Sequence, residues 1–332
     1  MTSINAPDLV SFARLSRAIA DIKSRADVAR GESVTGRRED VTAATNGDVG
    51  SAHLLKKAVA DAQAFQELLV VSKIRAERTQ NSLGAVGGEA VRIGTDALAA
   101  IGRNDSYALN TLAVEARAAV FNVFSSLNVT EGGRALFSGD ASDRLPFGNP
   151  EVLLSEIEAI VAGASDAADA QAQINTYFND PAGGFATNIY QGGDNKVAPV
   201  EIAPGVRIDV SATAADQPIK DLLQGLVGLA VQNSASFADS TAFLEGNAAA
   251  ALDADGDITE LRGVIGVGEA QISQAIVRYE AEETILTSLF NEKTGRDQFE
   301  AASELQLLET QLEASYLLTA RLARLSITNF IQ

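Results

Sequence analysis

The stretch Glu309–Gln332, ETQLEASYLLTARLARLSITNFIQ, constrains the fold of this chain more than any other. At helical spacing Leu318, Leu322 and Leu325 mark one face, and Tyr316, Ala320, Ala323, Ile327 and Ile331 mark another, with Leu308 and Leu312 leading into both. A helix that is apolar over most of its circumference has to be covered on several sides. It is not a membrane span, because Arg321 and Arg324 interrupt it and the chain has no run of 18 apolar residues. Near the other end Phe12, Leu15, Ile19, Ile22, Ala26 and Ala29 alternate steps of three and four, the seam of a coiled-coil-like helix. That seam covers one side of the last helix. Cover for the rest comes either from a central place in a bundle or from sister copies, and the terminal position favours copies.

Between these ends the texture predicts helices, a small mixed insert, and helices again. The first helix gives way to a loop at RGESVTGRRED, where Gly31 and Gly36 can take a left-handed turn. From about Ser51 to Gly102 a long helix is expected, with Leu54, Ala58, Phe65, Leu68, Leu69 and Ile74 at helical spacing. GRNDS turns into a second helix ending near Val129. TEGGRALFSGDASDRLPFGNP, rich in Gly and Pro, is a boundary. Helices follow near Glu151–Gly163 and Asp166–Phe178. Val206, Ile208 and Val210 then alternate as a strand, with Gly192–Asn195 as the expected turn between two strands. Helical texture resumes at DQPIKDLLQGLVGLAVQ and runs almost unbroken from about Thr259. The fold class is mainly α: long terminal helices in a coiled-coil-like bundle, with a small α+β insert. The expected divisions are 1–40, an N-terminal assembly helix and loop; 41–148, a helical bundle; 149–250, an acidic insert; 251–305, the returning bundle; and 306–332, a C-terminal assembly helix.

Charge narrows the function. With 26 Lys and Arg against 44 Asp and Glu, the net charge of −18 repels polyanions, and no compact basic patch is visible, so nucleic acid is not an expected partner. Between Ala141 and Glu260 there are 18 acidic and 4 basic residues, which leaves the two ends close to neutral and able to approach their own copies. Cysteine is absent and a single His is present, so thiolate chemistry and thiolate-bound zinc are excluded. The first 25 residues carry charges throughout and lack the apolar core of a secretory signal.

Candidate motifs for chemistry fail on spacing. LGAVGGEAVRIG and RGVIGVGEA follow no strand and have neither phosphate-loop order, so they interrupt or begin helices instead of binding nucleotides. DADGDITE, from Asp253 to Glu260, lacks the Gly and Glu at the sixth and twelfth positions of a calcium loop, which fall on Ile258 and Val264, and is expected to be an acidic turn capping a helix. His53 is expected to face solvent on a helix, and Glu282 and Glu283 point apart. No catalytic residue, metal site or cofactor is assigned, and no enzymatic activity is expected.

The order of these features resembles the bacterial flagellin family: VTGRRED after a first helix, a long helical hairpin, GGRALFSGDASDRLPF, a variable insert, and QLEASYLLTARLARLSITNFI. The likeness covers about residues 1–148 and 255–332. Within the family, Leu136, Phe137, Ser138 and Gly139 followed by Pro146 and Phe147, with the ending SITNFI, are more similar to the hook-associated members that join hook to filament than to filament flagellins. Ala135 stands where the family often has an aromatic residue. The resemblance implies export through the flagellar type III apparatus without signal cleavage, an extracellular place in the flagellum, and terminal helices packed in the wall of a tube. Phe12, Leu15, Ile19, Ile22, Leu308, Leu312, Leu318, Leu322, Leu325, Ile327 and Phe330 become the polymerising contacts. The implied partners are copies of the chain in a ring, a hook-side hook-associated protein, flagellin on the filament side, and an export chaperone as a further candidate. Alternatives are a filament flagellin with a small outer domain, and a secreted helical adhesin or enzyme.

Overall fold

The computed structural model describes residues 6–40 and 49–328, with side chains for residues 13–40 and 50–322. It is mainly α, with long helices toward both ends and a small middle region that contains strands. In chain order the helices are α1 (Ala6–Thr35), α2 (Val49–Gly102), α3 (Ser106–Leu127), α4 (Pro150–Gly163), α5 (Ala167–Asn179), α6 (Gln217–Ala230), α7 (Ser240–Thr294) and α8 (Gln298–Thr328). Two hairpins accompany them, β1 (Thr130–Glu131) with β2 (Arg134–Ala135) and β3 (Val200–Ala203) with β4 (Val206–Ile208), both antiparallel. The chain divides into a terminal unit, residues 1–65 with 279–332, and a central unit, residues 66–278.

In the central unit α2 and α7 face each other through seven-residue repeats. Leu69, Ala76, Leu83, Ala90 and Ala97 are buried on α2, as are Ser72, Thr79, Val86, Ile93 and Ala100 half a repeat on. Ala251, Ile258, Ile265 and Ile272 are buried on α7. This is the heptad pattern of a coiled coil, in which Ala, Ser and Thr are mixed with Leu, Val and Ile. Small residues bring the axes close: a Cβ on Gly94 would come within 2.8 Å of Leu252 Cγ. Gln80 Nε2 donates to the Arg262 carbonyl across the seam at 2.5 Å.

Three sequence expectations are corrected here. Both glycine runs lie inside α2 and α7 and do not interrupt them, because packed helix faces tolerate Gly where a side chain would hold the partner away. Asp253–Glu260 is a stretch of α7 and not a capping turn. Leu54, Leu68 and Ile74 are exposed, since the buried face of α2 runs through Leu69, Ser72 and Ala76 instead.

Local caps account for the shorter helices. Asp105 accepts from the N–H groups of Tyr107 and Ala108 at the start of α3. Asn149 caps α4 with Pro150 in its first turn, and Asp166 caps α5 by accepting from Asp169 N. Helix α6 is the centre of this unit, with every residue from Leu222 to Ala230 buried.

The LFSG turn closes the unit. Phe137 and Phe147 are fully buried, and Phe147 stacks on Phe124 at 4.5 Å and meets Phe185 edge-on at 6.0 Å. Ser138 Oγ donates to the Arg144 carbonyl at 2.7 Å, and Asn128 bonds Phe147 through both its amide atoms at 3.0 and 3.1 Å. Gly193 N donates to Ser138 O, and Asp140 N to Asn195 O. Gly192–Asn195 is therefore a loop seated on the LFSG turn, and the strand reversal falls instead at Pro204 and Gly205. Gly139 has φ +59 and sits against Asn195 O, where any side chain would collide.

Candidate assembly surface

In the terminal unit α1 packs along α8 through a thin apolar seam: Ala26, Ala29 and Leu308 are buried, flanked by Ile22 and Leu305. The steps 22, 26, 29 and 305, 308, 312 repeat the three–four alternation expected of paired helices. α1 runs through Gly31 and ends at Gly36, whose φ of +65 provides the left-handed turn. α7 and α8 are separate helices joined at Gly295–Asp297, whereas the sequence shows helical texture almost unbroken from about Thr259 to the end.

Ion pairs fix the register of this seam. Arg296 bonds both Glu32 and Glu304, Arg25 reaches Glu304 at 3.3 Å, and Arg30 reaches Glu309 at 3.0 Å. The hydrogen bond from Arg296 holds the Glu304 carboxyl below its ordinary range, against a smaller opposing effect of burial and with further help from Arg25. Glu304 and Glu32 hold the Arg296 guanidinium charged in turn. Below the junction, Phe65 stacks on Tyr279 at 5.3 Å, and Gln63 donates to Glu283 at 2.6 Å.

As far as Leu322, the faces of α8 turned away from this seam are uncovered. Leu307, Leu318 and Leu322, at 57, 53 and 48% exposure, form one flank, Tyr316 lies on the other, and Leu317 and Phe299 point directly away from α1. The contrast with α6 is direct: α6 is enclosed on every side, whereas the described part of α8 keeps Leu307, Leu317, Leu318 and Leu322 outside its one covered side. Of the residues singled out by sequence, Leu15, Ile19, Ile22 and Leu312 are half-buried, Leu308 is enclosed within the chain's own helix pair, and Leu318 and Leu322 are exposed. Phe12, Leu325 and Ile327 lie on helices at positions whose side chains are outside the described ones, and Phe330 is outside the described residues. Leu307 and Leu317 were missed, although Leu307 lies eleven residues before Leu318 on the same flank.

Among the described residues no group of three His, Asp or Glu side chains is placed to hold a metal ion, and no helix is long and apolar enough to cross a membrane. His53 is exposed on α2. The model of the family described as the bacterial flagellin C-terminal helical region matches residues 249–331, which span α7 from its third turn through α8. Residues 249–331 are thus similar to the C-terminal helical region of bacterial flagellins. The matched stretch includes α8. Among solved structures, a chain from Vibrio parahaemolyticus described as a flagellar hook-associated protein aligns with a TM-score of 0.53 and 13% identity, over 73% of this chain and 95% of that one. FlgL of Bacillus cereus aligns with a TM-score of 0.43 and 16% identity, over 74% of this chain and 100% of that one. No curated protein matches the chain in sequence.

Proposed function

We propose that this chain is a structural subunit of the bacterial flagellum that joins hook to filament, in the manner of hook-associated protein 3, and that it acts by self-assembly of its terminal helices and not by catalysis. The observation that carries this reading is the uncovered apolar circumference of α8, a flagellin-type helix that its own chain shields on one side only. Association with sister copies would bury Leu307, Leu317, Leu318 and Leu322, at about 25 cal/mol per Å2 of apolar surface removed from water. The fold likeness to the Vibrio hook-associated protein supports the same reading. On this view the half-buried Leu15, Ile19 and Ile22 and the terminal Leu325, Ile327 and Phe330 extend the contact. Leu308 serves inside the subunit.

The subunit would stand in a ring of copies outside the cell, between a hook-side hook-associated protein and flagellin, after export through the flagellar apparatus with or without a chaperone on the last helix. Deletion in the parent cell tests this. Hooks without filaments, with flagellin released to the medium, are the expected phenotype. Loss of the major filament protein itself would instead identify the chain as a filament flagellin, and unchanged filaments would exclude both.

A further inference from the structure

The terminal unit contains a basic corner that no linear stretch of sequence reveals. A cavity of about 320 Å3 is lined by Arg37, Arg38 and Lys56, with Val59, Thr287 and Phe290 among its apolar and neutral walls, and no carboxylate lines it. The backbone fixes the two arginines: Arg37 pairs with Gly295 in an antiparallel bridge, Arg38 N donates to Thr294 O at 2.9 Å, and Arg296 N donates to Gly36 O at 3.0 Å. Arg37 lies over the Phe290 ring at 5.6 Å, and among the described residues neither it, Arg38 nor Lys56 has a carboxylate partner. In a chain of net charge −18, three clustered cations without counter-charges form a site of the wrong sign for the rest of the molecule.

The matching set lies on the exposed face of α7 in the central unit. Asp253, Asp257 and Glu260 fall at i, i+4 and i+7, so they line one stripe about 10.5 Å long. All three are exposed, and none forms an ion pair among the described residues. The stripe continues into Val264 and Val267, at 60 and 61% exposure. Acids followed by valines on one molecule thus complement cations beside Val59 and Phe290 on another.

We propose that the Arg37, Arg38 and Lys56 corner receives the Asp253, Asp257 and Glu260 stripe of a second copy of this chain. The contact rests on the assembly reading above. It answers a physical difficulty that this reading raises, since copies carrying −18 repel one another unless cations of one meet acids of the next. Corner and stripe are different surfaces, so the contact is heterologous. It propagates around a ring or along a helix, and in an open assembly one corner and one stripe stay unmatched.

Sedimentation velocity of the full chain over a concentration series at low ionic strength tests it. Arg38→Glu with Lys56→Glu, and separately Asp257→Arg with Glu260→Arg, should each weaken association on the order of tenfold or more. The chain carrying all four changes should recover it. An equimolar mixture of the two double variants should recover it as well, with unlike chains alternating, because each corner then meets a stripe of opposite charge while like chains repel. All four side chains are exposed, so unchanged circular dichroism is expected, and Arg38→Gln with Lys56→Gln serves if a reversal does not fold. A wild-type chain that stays monomeric at high concentration, no recovery in the quadruple variant, or capture of inorganic phosphate or a DNA duplex with association unchanged would each overturn the contact. Association lost on removing residues 310–332 but indifferent to both reversals sinks this contact and leaves the flagellar reading intact. Unchanged filaments in the deletion strain sink the flagellar reading alone.

Discussion

Replacing Leu307, Leu318 and Leu322 together by Ala strips the exposed flank of α8 without touching its seam with α1. Each side chain is about half exposed in the lone subunit, at 57, 53 and 48%. Full burial of a Leu is worth about 1.5–3 kcal/mol, so covering the remaining half contributes about 1 kcal/mol per residue and about 3 kcal/mol for the three. At roughly 1.4 kcal/mol per tenfold, the association constant should fall about a hundredfold. Folding stability should move little, because half-exposed side chains outside the seam lose few contacts. Sedimentation measures the first quantity and thermal unfolding the second. A variant that assembles like the parent, or one whose melting temperature collapses while assembly persists, would show that this flank belongs to the subunit and not to its neighbours.

Leu308→Ala acts on the opposite face: it empties the seam's largest buried side chain and should cost about 2–5 kcal/mol, read as faster hydrogen exchange in α1 and α8 with the central unit unchanged. Gly139→Ala should lower the melting temperature of the central unit, by roughly 1–3 kcal/mol of backbone strain besides the collision with Asn195 O, whereas Ala at exposed Gly163 should not. Because Arg296 holds Glu304 below its ordinary range, that pair's contribution is present above the ordinary carboxylate range and disappears as pH falls through the lowered value. Acid should therefore loosen α1 from α8 in the parent, and this acid dependence should shrink in Glu304→Gln, as followed by limited proteolysis of α1. Tyr190 is pushed up to about 12 by burial and then by Asp216, Asp140 and Asp194, so its neutral form stabilises the fold up to about pH 10 and that support is lost toward pH 12. A phenolate absorbance titration should show the late step, absent in Tyr190→Phe.

Whatever is settled within a few residues could be read from the order of amino acids. Asp105, Asn149 with Pro150, and Asp166 start helices because a cap satisfies amide groups two or three positions away, and those helices begin where the residues predict. The apolar circumference of the last helix was equally legible, since it needs only a period of 3.6. Tertiary structure alone decided which apolar helix is enclosed. α6 and the second half of α8 both carry apolar residues on more than one face, and the arrangement of α3 to α5 and α7 around α6 covers the first, whereas Leu317, Leu318 and Leu322 stay exposed on the second. It also decided that the seam of α2 runs through Leu69, Leu83, Val86 and Ile93, interleaved with Ala, Ser and Thr, and leaves Leu54, Leu68 and Ile74 exposed. The basic corner follows the same logic: Arg38 and Lys56 are 18 positions apart, and a charge cluster assembled by a chain reversal has no signature in any local window.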